Sequence, residues 1–164
     1  MNHRPEAWTI EDMTAFRVSV FSNSLGRAAA RYSAKHLNLS QTQWRVLAIV
    51  GMGAPTTARD VVRKTGLDKG GISRAVAELL DRELLEKRPG ADDKRERPLS
   101  LTAEGRRRYA QGLRAASARN DALMAALTER ERRLWDDFLA RLQTRAERLS
   151  EVEAREAVVS EGIP

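Results

Sequence analysis

Apolar positions recur at spacings of three and four along most of the chain, which predicts a mainly helical protein. Val18, Phe21, Leu25, Ala28 and Tyr32 fall on one face of a helix expected over residues 10–36, and Met13, Phe16 and Val20 form a second line beside it. An apolar arc this wide needs two neighbours. One is the chain's own domain and the other a partner subunit, unless the helix is wholly buried within a monomer. Asn38-Leu39 interrupts the pattern. Ser40 and Gln43 then read as a capping box for a helix carrying Trp44, Leu47, Ala48 and Val50, ended by Gly51-Met52-Gly53 and Pro55.

Thr57 and Asp60 open the next helix in the same way, with Ala58, Val61 and Val62 inward and Arg59, Arg63 and Lys64 outward. Thr65-Gly66-Leu67 makes a turn in which Gly66 suits a left-handed residue. Asp68 caps the following helix. Its inner stripe is Ile72, Val76, Leu79 and Leu80; its outer face is Lys69, Gly70, Ser73, Arg74 and Ala77. Small, basic and hydroxyl side chains are what a helix lying in a major groove presents. Gly70 and Gly71 allow two readings: close backbone approach to a phosphate, or simple membership of the turn.

The period then changes to two. Leu84 to Arg88 and Pro98 to Leu101 read as strands of a hairpin around the charged run Ala91–Arg97, with Leu99 and Leu101 inward and Pro98 at an edge. Thr102 caps a long Ala-rich helix, within which Asn120 and Asp121 are candidates for a bend. Thr128 and Glu131 form another capping box, and the last helix carries Leu134, Phe138, Leu142 and Leu149 on one stripe, with Trp135 and Leu139 beside it, to about Ala157. The expected fold is mainly α with a small β-hairpin wing: an N-terminal dimerisation helix (10–36), a winged helix-turn-helix lobe (40–102) and a C-terminal helical dimerisation region (103–157). Residues 1–9 read as an extended arm.

At 164 residues the chain has length enough to bury a core without staples, and it contains no cysteine. Disulfides, thiolate metal sites and thiol-oxidation control are therefore excluded. The start of the chain is too charged for a signal peptide, and no apolar run spans a membrane. A cytoplasmic, nucleoid-associated protein is expected. The formal net charge is +6 and the isoelectric point about 10.3, with the positive excess in the first two thirds of the chain. This favours an anionic partner.

Signs of catalysis are missing from the sequence. His3 and His36 lie outside any acidic cluster, and neither a phosphate-binding loop nor a dinucleotide fingerprint occurs. Asp92-Asp93, flanked by Lys94 and Arg95, is poorly suited to a cation. No enzyme, metal or cofactor is expected.

The runs Leu67-Asp68-Lys69-x-x-Ile72-Ser73-Arg74-x-Val76, Leu79-x-x-x-x-Leu84-Leu85, Asp93-Lys94-Arg95 and Leu99-x-Leu101-Thr102-x-x-Gly105 resemble the MarR family of transcriptional regulators. The resemblance spans roughly residues 10–155, and its most specific part is the wing signature. It implies a homodimer that binds duplex DNA at a pseudo-palindrome, usually represses, and is often released by a small aromatic or anionic ligand. Carried over by position, Ser73 and Arg74 face the major groove, and Arg95 is the wing arginine of the minor groove. Asp68 and Asp93 are the acids that orient the wing. Glu96 and Arg97 depart from the usual small or apolar residues and leave the return strand open.

The basic residues Arg63, Lys64, Lys69, Lys94 and Arg97 are expected to contact phosphates, and Gly70 to lie against the backbone of the duplex. For a ligand, Phe16, Tyr32, Trp44, Arg45 and Met52 are candidates, each equally readable as core or interface. Two other functions fit the same features: a DNA-binding protein without sequence preference, and a winged helix used for protein contact.

Overall fold

The structure is a computed structural model that describes residues 8–88 and 97–160, with side chains described as far as Val152. It divides into two compact units, residues 1–117 and 118–164.

In the first unit the chain enters through a single 3-10 turn, Ile10–Asp12, capped by a reciprocal Thr9–Asp12 box. Met13 is then extended (φ −75°, ψ 130°), so helix α1 begins at Thr14 and runs to Tyr32. The sequence pattern predicts one helix from residue 10; the chain makes a separate 3-10 turn first. Helix α1 continues into a π-helical turn, Ser33–Leu37, and Asn38 ends it in the left-handed region at φ 51°. A π turn leaves its last carbonyls without partners along the helix. Here Arg108 donates to the Leu37 carbonyl at 2.6 Å and Gln111 to that of His36 at 3.3 Å.

Helices α2 (Gln41–Val50), α3 (Ala58–Thr65) and α4 (Lys69–Asp81) follow with the caps their sequences specify. Ser40 accepts from the Gln43 N–H, Thr57 from that of Asp60, and Asp68 from that of Gly71. Gly66 takes φ 65° at the turn between α3 and α4. Strands β1 (Leu85–Lys87) and β2 (Leu99–Leu101) pair antiparallel with Leu85 opposite Leu101 and Lys87 opposite Leu99. Beyond the expected hairpin, Thr56 bridges to Leu99, whose N–H donates to the Thr56 carbonyl at 2.8 Å. Strand β2 is therefore flanked on both sides at Leu99, and all three of its residues are buried. Pro98 joins the ladder through its carbonyl, which accepts from the Arg88 N–H.

The core is one cluster. Val46, Leu47, Val61, Ile72 and Leu79 are fully enclosed, with Leu37, Leu39, Leu84, Leu85, Leu99 and Leu101 around them. A polar clamp joins α2 to α4: the Gln43 amide donates to Glu78 at 2.5 Å, and Arg82 donates to the Asn38 carbonyl at 2.8 Å. Helix α5 (Ala103–Met124) starts on Thr102, whose hydroxyl accepts from Gly105 and donates to the Glu83 carbonyl. Glu83 is left-handed (φ 53°), and that bond helps hold it there. Helix α1 buries none of its residues: Phe16, Val18, Val20, Phe21 and Leu25 all remain exposed, as does Met13 before it.

The second unit consists of the end of α5 and helix α6, Glu129–Ser160. Helix α5 passes Asn120 and Asp121 without a break. The Thr128–Glu131 box opens α6 as the sequence indicates. Leu134, Trp135, Phe138, Leu139, Leu142 and Leu149 are exposed along it. Among the described residues no helix is long and apolar enough to cross a membrane.

Candidate nucleic-acid interface

Helix α4 is held from beneath by Ile72, Ala75, Val76 and Leu79. This anchoring fixes its rotation and leaves Lys69, Gly70, Ser73, Arg74 and Ala77 exposed on one face, as the periodicity predicts. The Arg74 side chain lies back along the helix, its guanidinium 3.8 Å from where a Cβ on Gly70 would stand. Helical side chains point toward the N-terminus in this way.

The two glycines acquire a local reason that the sequence reading lacks. Both are inside the first turn of α4, not in the turn before it. A Cβ at Gly71 would stand 2.6 Å from the Asp68 carboxylate, and one at Gly70 would stand 3.2 Å from it. The helix thus begins with a carboxylate folded tightly over its own first N–H groups. Asp68 acts first as a cap. The wing contact that the resemblance implies for it involves Arg95, which lies outside the described residues, as do Asp93 and Lys94. Arg97 is described and exposed at the start of the return strand.

Helix α3 presents Arg63 and Lys64 to solvent. Arg63 pairs with Asp60 at 2.8 Å, but its side chain keeps 76% of its surface exposed. Such exposed pairs hold their partners weakly, so the guanidinium stays available to a phosphate. Asp60 itself is held below the usual carboxylate range, chiefly by the backbone N–H of Thr57, then by the Thr57 hydroxyl, with Arg63 and Lys64 adding to the effect. Arg59, outside the expected contacts, borders a small recess together with Lys69 and Ser73.

The ligand candidates sit in dissimilar surroundings. Trp44 is a core residue, stacked on Tyr109 at 6.5 Å. Tyr32 stacks on His36 at 4.6 Å. Phe16 and Met52 are exposed, and Arg45 lines a polar recess with Gln41, Ser22 and Arg27. The larger apolar cleft of the first unit is bounded by Gly51, Pro55, Arg88, Leu99, Arg106 and Tyr109, none of which the sequence pattern singles out as a ligand contact.

A helix-turn-helix packed against a two-stranded hairpin, with an outward face of basic, small and hydroxyl residues, defines the winged helix-turn-helix class. Residues 37–96 match the MarR family model. No curated protein matches it. Among solved structures, a MarR/EmrR family transcriptional regulator from Acinetobacter sp. ADP1 superposes with a TM-score of 0.79 at 20% identity, covering 86% of this chain and 99% of that one. A putative MarR family transcriptional regulator from Listeria monocytogenes, complexed with 26mer DNA, gives 0.75 at 21% identity, with coverage of 81% and 88%. A probable transcriptional regulator from Pseudomonas aeruginosa gives 0.66 at 28% identity, with coverage of 82% and 99%.

Proposed function

We propose that this protein is a homodimeric, sequence-specific DNA-binding transcriptional regulator, acting as a repressor that a small aromatic or anionic ligand releases. The observation that carries the reading is the exposed face of α4, where Ser73 and Arg74 face solvent on a helix whose rotation the core fixes. Ser73 and Arg74 read base edges, and Lys69, Arg63 and Lys64 contact phosphates beside them, with Gly70 against the backbone. In the wing, Arg95 enters the minor groove, oriented by Asp68 and Asp93, while Lys94 and Arg97 contact phosphates. The Listeria relative was solved with DNA, which supports this use of the fold. Two copies place their α4 helices in successive major grooves about 34–36 Å apart. The uncovered apolar faces of α1 and of α6 favour a second copy as the partner.

The test is a binding titration on DNA flanking the gene, with random duplex as competitor. A specific regulator resists a large excess of random DNA. Equal competition by random sequence would leave only a non-specific DNA binder, and failure to bind any duplex at low salt would favour a protein-contact role for the winged helix.

A further inference from the structure

Between Asp12 and Asp60 the sequence holds no acidic residue, yet Arg17, Arg27, Arg31, Lys35, Arg45 and Arg59 all fall inside that span. Most of it folds into α1 and α2. Arg27, Arg31 and Lys35 follow one another at intervals of four, and all three are exposed. Among the described residues no ion pair neutralises Arg27, Arg31, Lys35 or Arg45.

Arg27 and Arg45 meet across a polar recess of about 370 Å³ between the two helices. Ser22, Asn23 and Gln41 supply the rest of its polar lining, and no large apolar side chain joins them. Gly26 allows the close approach: a Cβ there would stand 3.0 Å from the Gln41 amide nitrogen. Arg27 donates to the Ser24 hydroxyl at 3.0 Å, a neutral partner that leaves most of its N–H groups unused. The N-terminus of α2 is already closed by the Ser40–Gln43 box, so the recess meets an anion through side chains and not through the helix end. Its place in the fold is beside the recognition helix. Gln43 donates to Glu78, and Arg82 reaches the Asn38 carbonyl, which ties the start of α2 to the end of α4.

Three occupants compete on chemistry. An aromatic or aliphatic ligand finds no apolar floor. A second copy is better served by the apolar stripe of Val18, Phe21 and Leu25, because the core of an interface is depleted in charge. The phosphates of a nucleic-acid backbone match the lining, since Arg, Ser, Asn and Gln are side chains that donate to them.

We propose that the recess between α1 and α2, with Arg27 and Arg45 as its charged donors, grips backbone phosphates of the duplex that flanks the half-site read by α4. Arg31 and Lys35 extend the positive potential along α1. The contact is blind to sequence, so it adds affinity for flanked sites without adding base preference. It rests on the function proposed above, because α4 must first place the duplex.

The experiment uses the full chain and a duplex selected from a randomised pool. One version is trimmed to the two half-sites. The other carries one more helical turn of arbitrary sequence, roughly 10 base pairs, at each end. Titrations at several salt concentrations compare the parent with the double variant Arg27→Gln, Arg45→Gln. Circular dichroism checks the fold of the variant, and sedimentation velocity its assembly. The parent is expected to bind the longer duplex at least about tenfold more tightly, with a steeper salt dependence. The double variant is expected to lose that gain while binding the trimmed duplex as before. Its salt slope on the longer duplex should fall by about one for each arginine lost from each subunit. Equal affinity of the parent for both duplexes overturns the inference and leaves the regulator standing. A gain that survives in the double variant, or a loss equal on both duplexes, also overturns it. So does a double variant that sediments as a monomer, which would assign the recess to the second copy. A parent that binds neither duplex refutes the regulator and the inference with it.

Discussion

Gly112 of α5 lies directly against the indole of Trp44 on α2, so closely that a Cβ there would overlap the six-membered ring and crowd Leu37 as well. Alanine gains about 1 kcal/mol over glycine from helix propensity alone. Overpacking of a rigid aromatic costs about 1–3 kcal/mol. The overlap is with ring atoms in the core, not with the end of a flexible chain, so the second effect is the larger. Gly112→Ala is expected to lower the urea midpoint and to shift the Trp44 emission. A variant more stable than the parent would show that α5 and α2 can separate freely.

The Thr57–Asp60 box makes the N-terminus of α3 sensitive to acid. The Thr57 N–H and hydroxyl donate to the Asp60 carboxylate at 3.0 and 2.9 Å, and these bonds hold its pKa below the ordinary aspartate range. A depressed folded pKa means that the stabilisation is complete above the unfolded value and is lost as pH falls through the folded one. Stability is therefore expected to fall below about pH 4, and Asp60→Asn to flatten that part of the curve. Thr57→Ala, which removes the cap hydroxyl, is expected to cost about 0.5–2 kcal/mol at neutral pH. Melting temperature against pH for the three proteins checks both statements. Parallel curves for the parent and Asp60→Asn would count against the box as a source of acid lability.

Base reading and phosphate contact separate in a salt titration. Arg74→Ala is expected to relax preference at one or two base pairs, each worth about 1–3 kcal/mol. Lys64→Ala is expected to weaken all duplexes alike and to reduce the salt slope by about one. Gly71→Ala is a third probe. Its Cβ would displace the Asp68 carboxylate, so α4 loses its cap and operator affinity falls with no change in salt slope. Selection from a randomised duplex pool, followed by titration at several salt concentrations, distinguishes the three. Identical profiles for Arg74→Ala and Lys64→Ala would refute the division of labour.

What the sequence made legible is the part of the fold written in local chemistry. Four capping motifs, the Gly66 turn and the Ile72–Val76–Leu79 stripe depend on residues three or four apart, and each is found in place. What escaped depends on partners far along the chain. Thr56 joins β2 because its carbonyl meets the Leu99 N–H, forty-odd residues away, and nothing in a threonine announces that. Gly112 in an Ala-rich helix reads as a weak spot until Trp44 is placed against it. The clamp of Gln43, Glu78 and Arg82 joins residues far apart along the chain, and of these the local pattern gives a role to Gln43 alone, as a cap. At the candidate interface the α4 face was legible because one helix carries it. The cleft behind the wing was not, because Gly51, Arg88 and Arg106 come from three separate elements.

The apolar stripe of α6 is the clearest test of assembly. Leu134, Trp135, Phe138, Leu139 and Leu142 follow one another at helical spacing, and each keeps more than a third of its surface exposed in the single chain. Burying one such side chain fully is worth about 1.5–3 kcal/mol, so leaving five in water is a large unfavourable term for an isolated subunit. A second copy supplies the cover on the reading proposed here. Phe138 and Leu142 are one helical turn apart, so acidic residues at both would meet their counterparts' apolar surface without compensation. Phe138→Asp with Leu142→Glu is expected to convert a sedimenting dimer into a monomer at micromolar concentration. The monomer is also expected to bind a half-site weakly while losing tight binding to the full pseudo-palindrome, because only the pair sets the spacing of the two α4 helices. Sedimentation velocity on both proteins decides the matter: a parent chain that is already monomeric at that concentration, or a double variant that remains dimeric, would remove α6 from the interface.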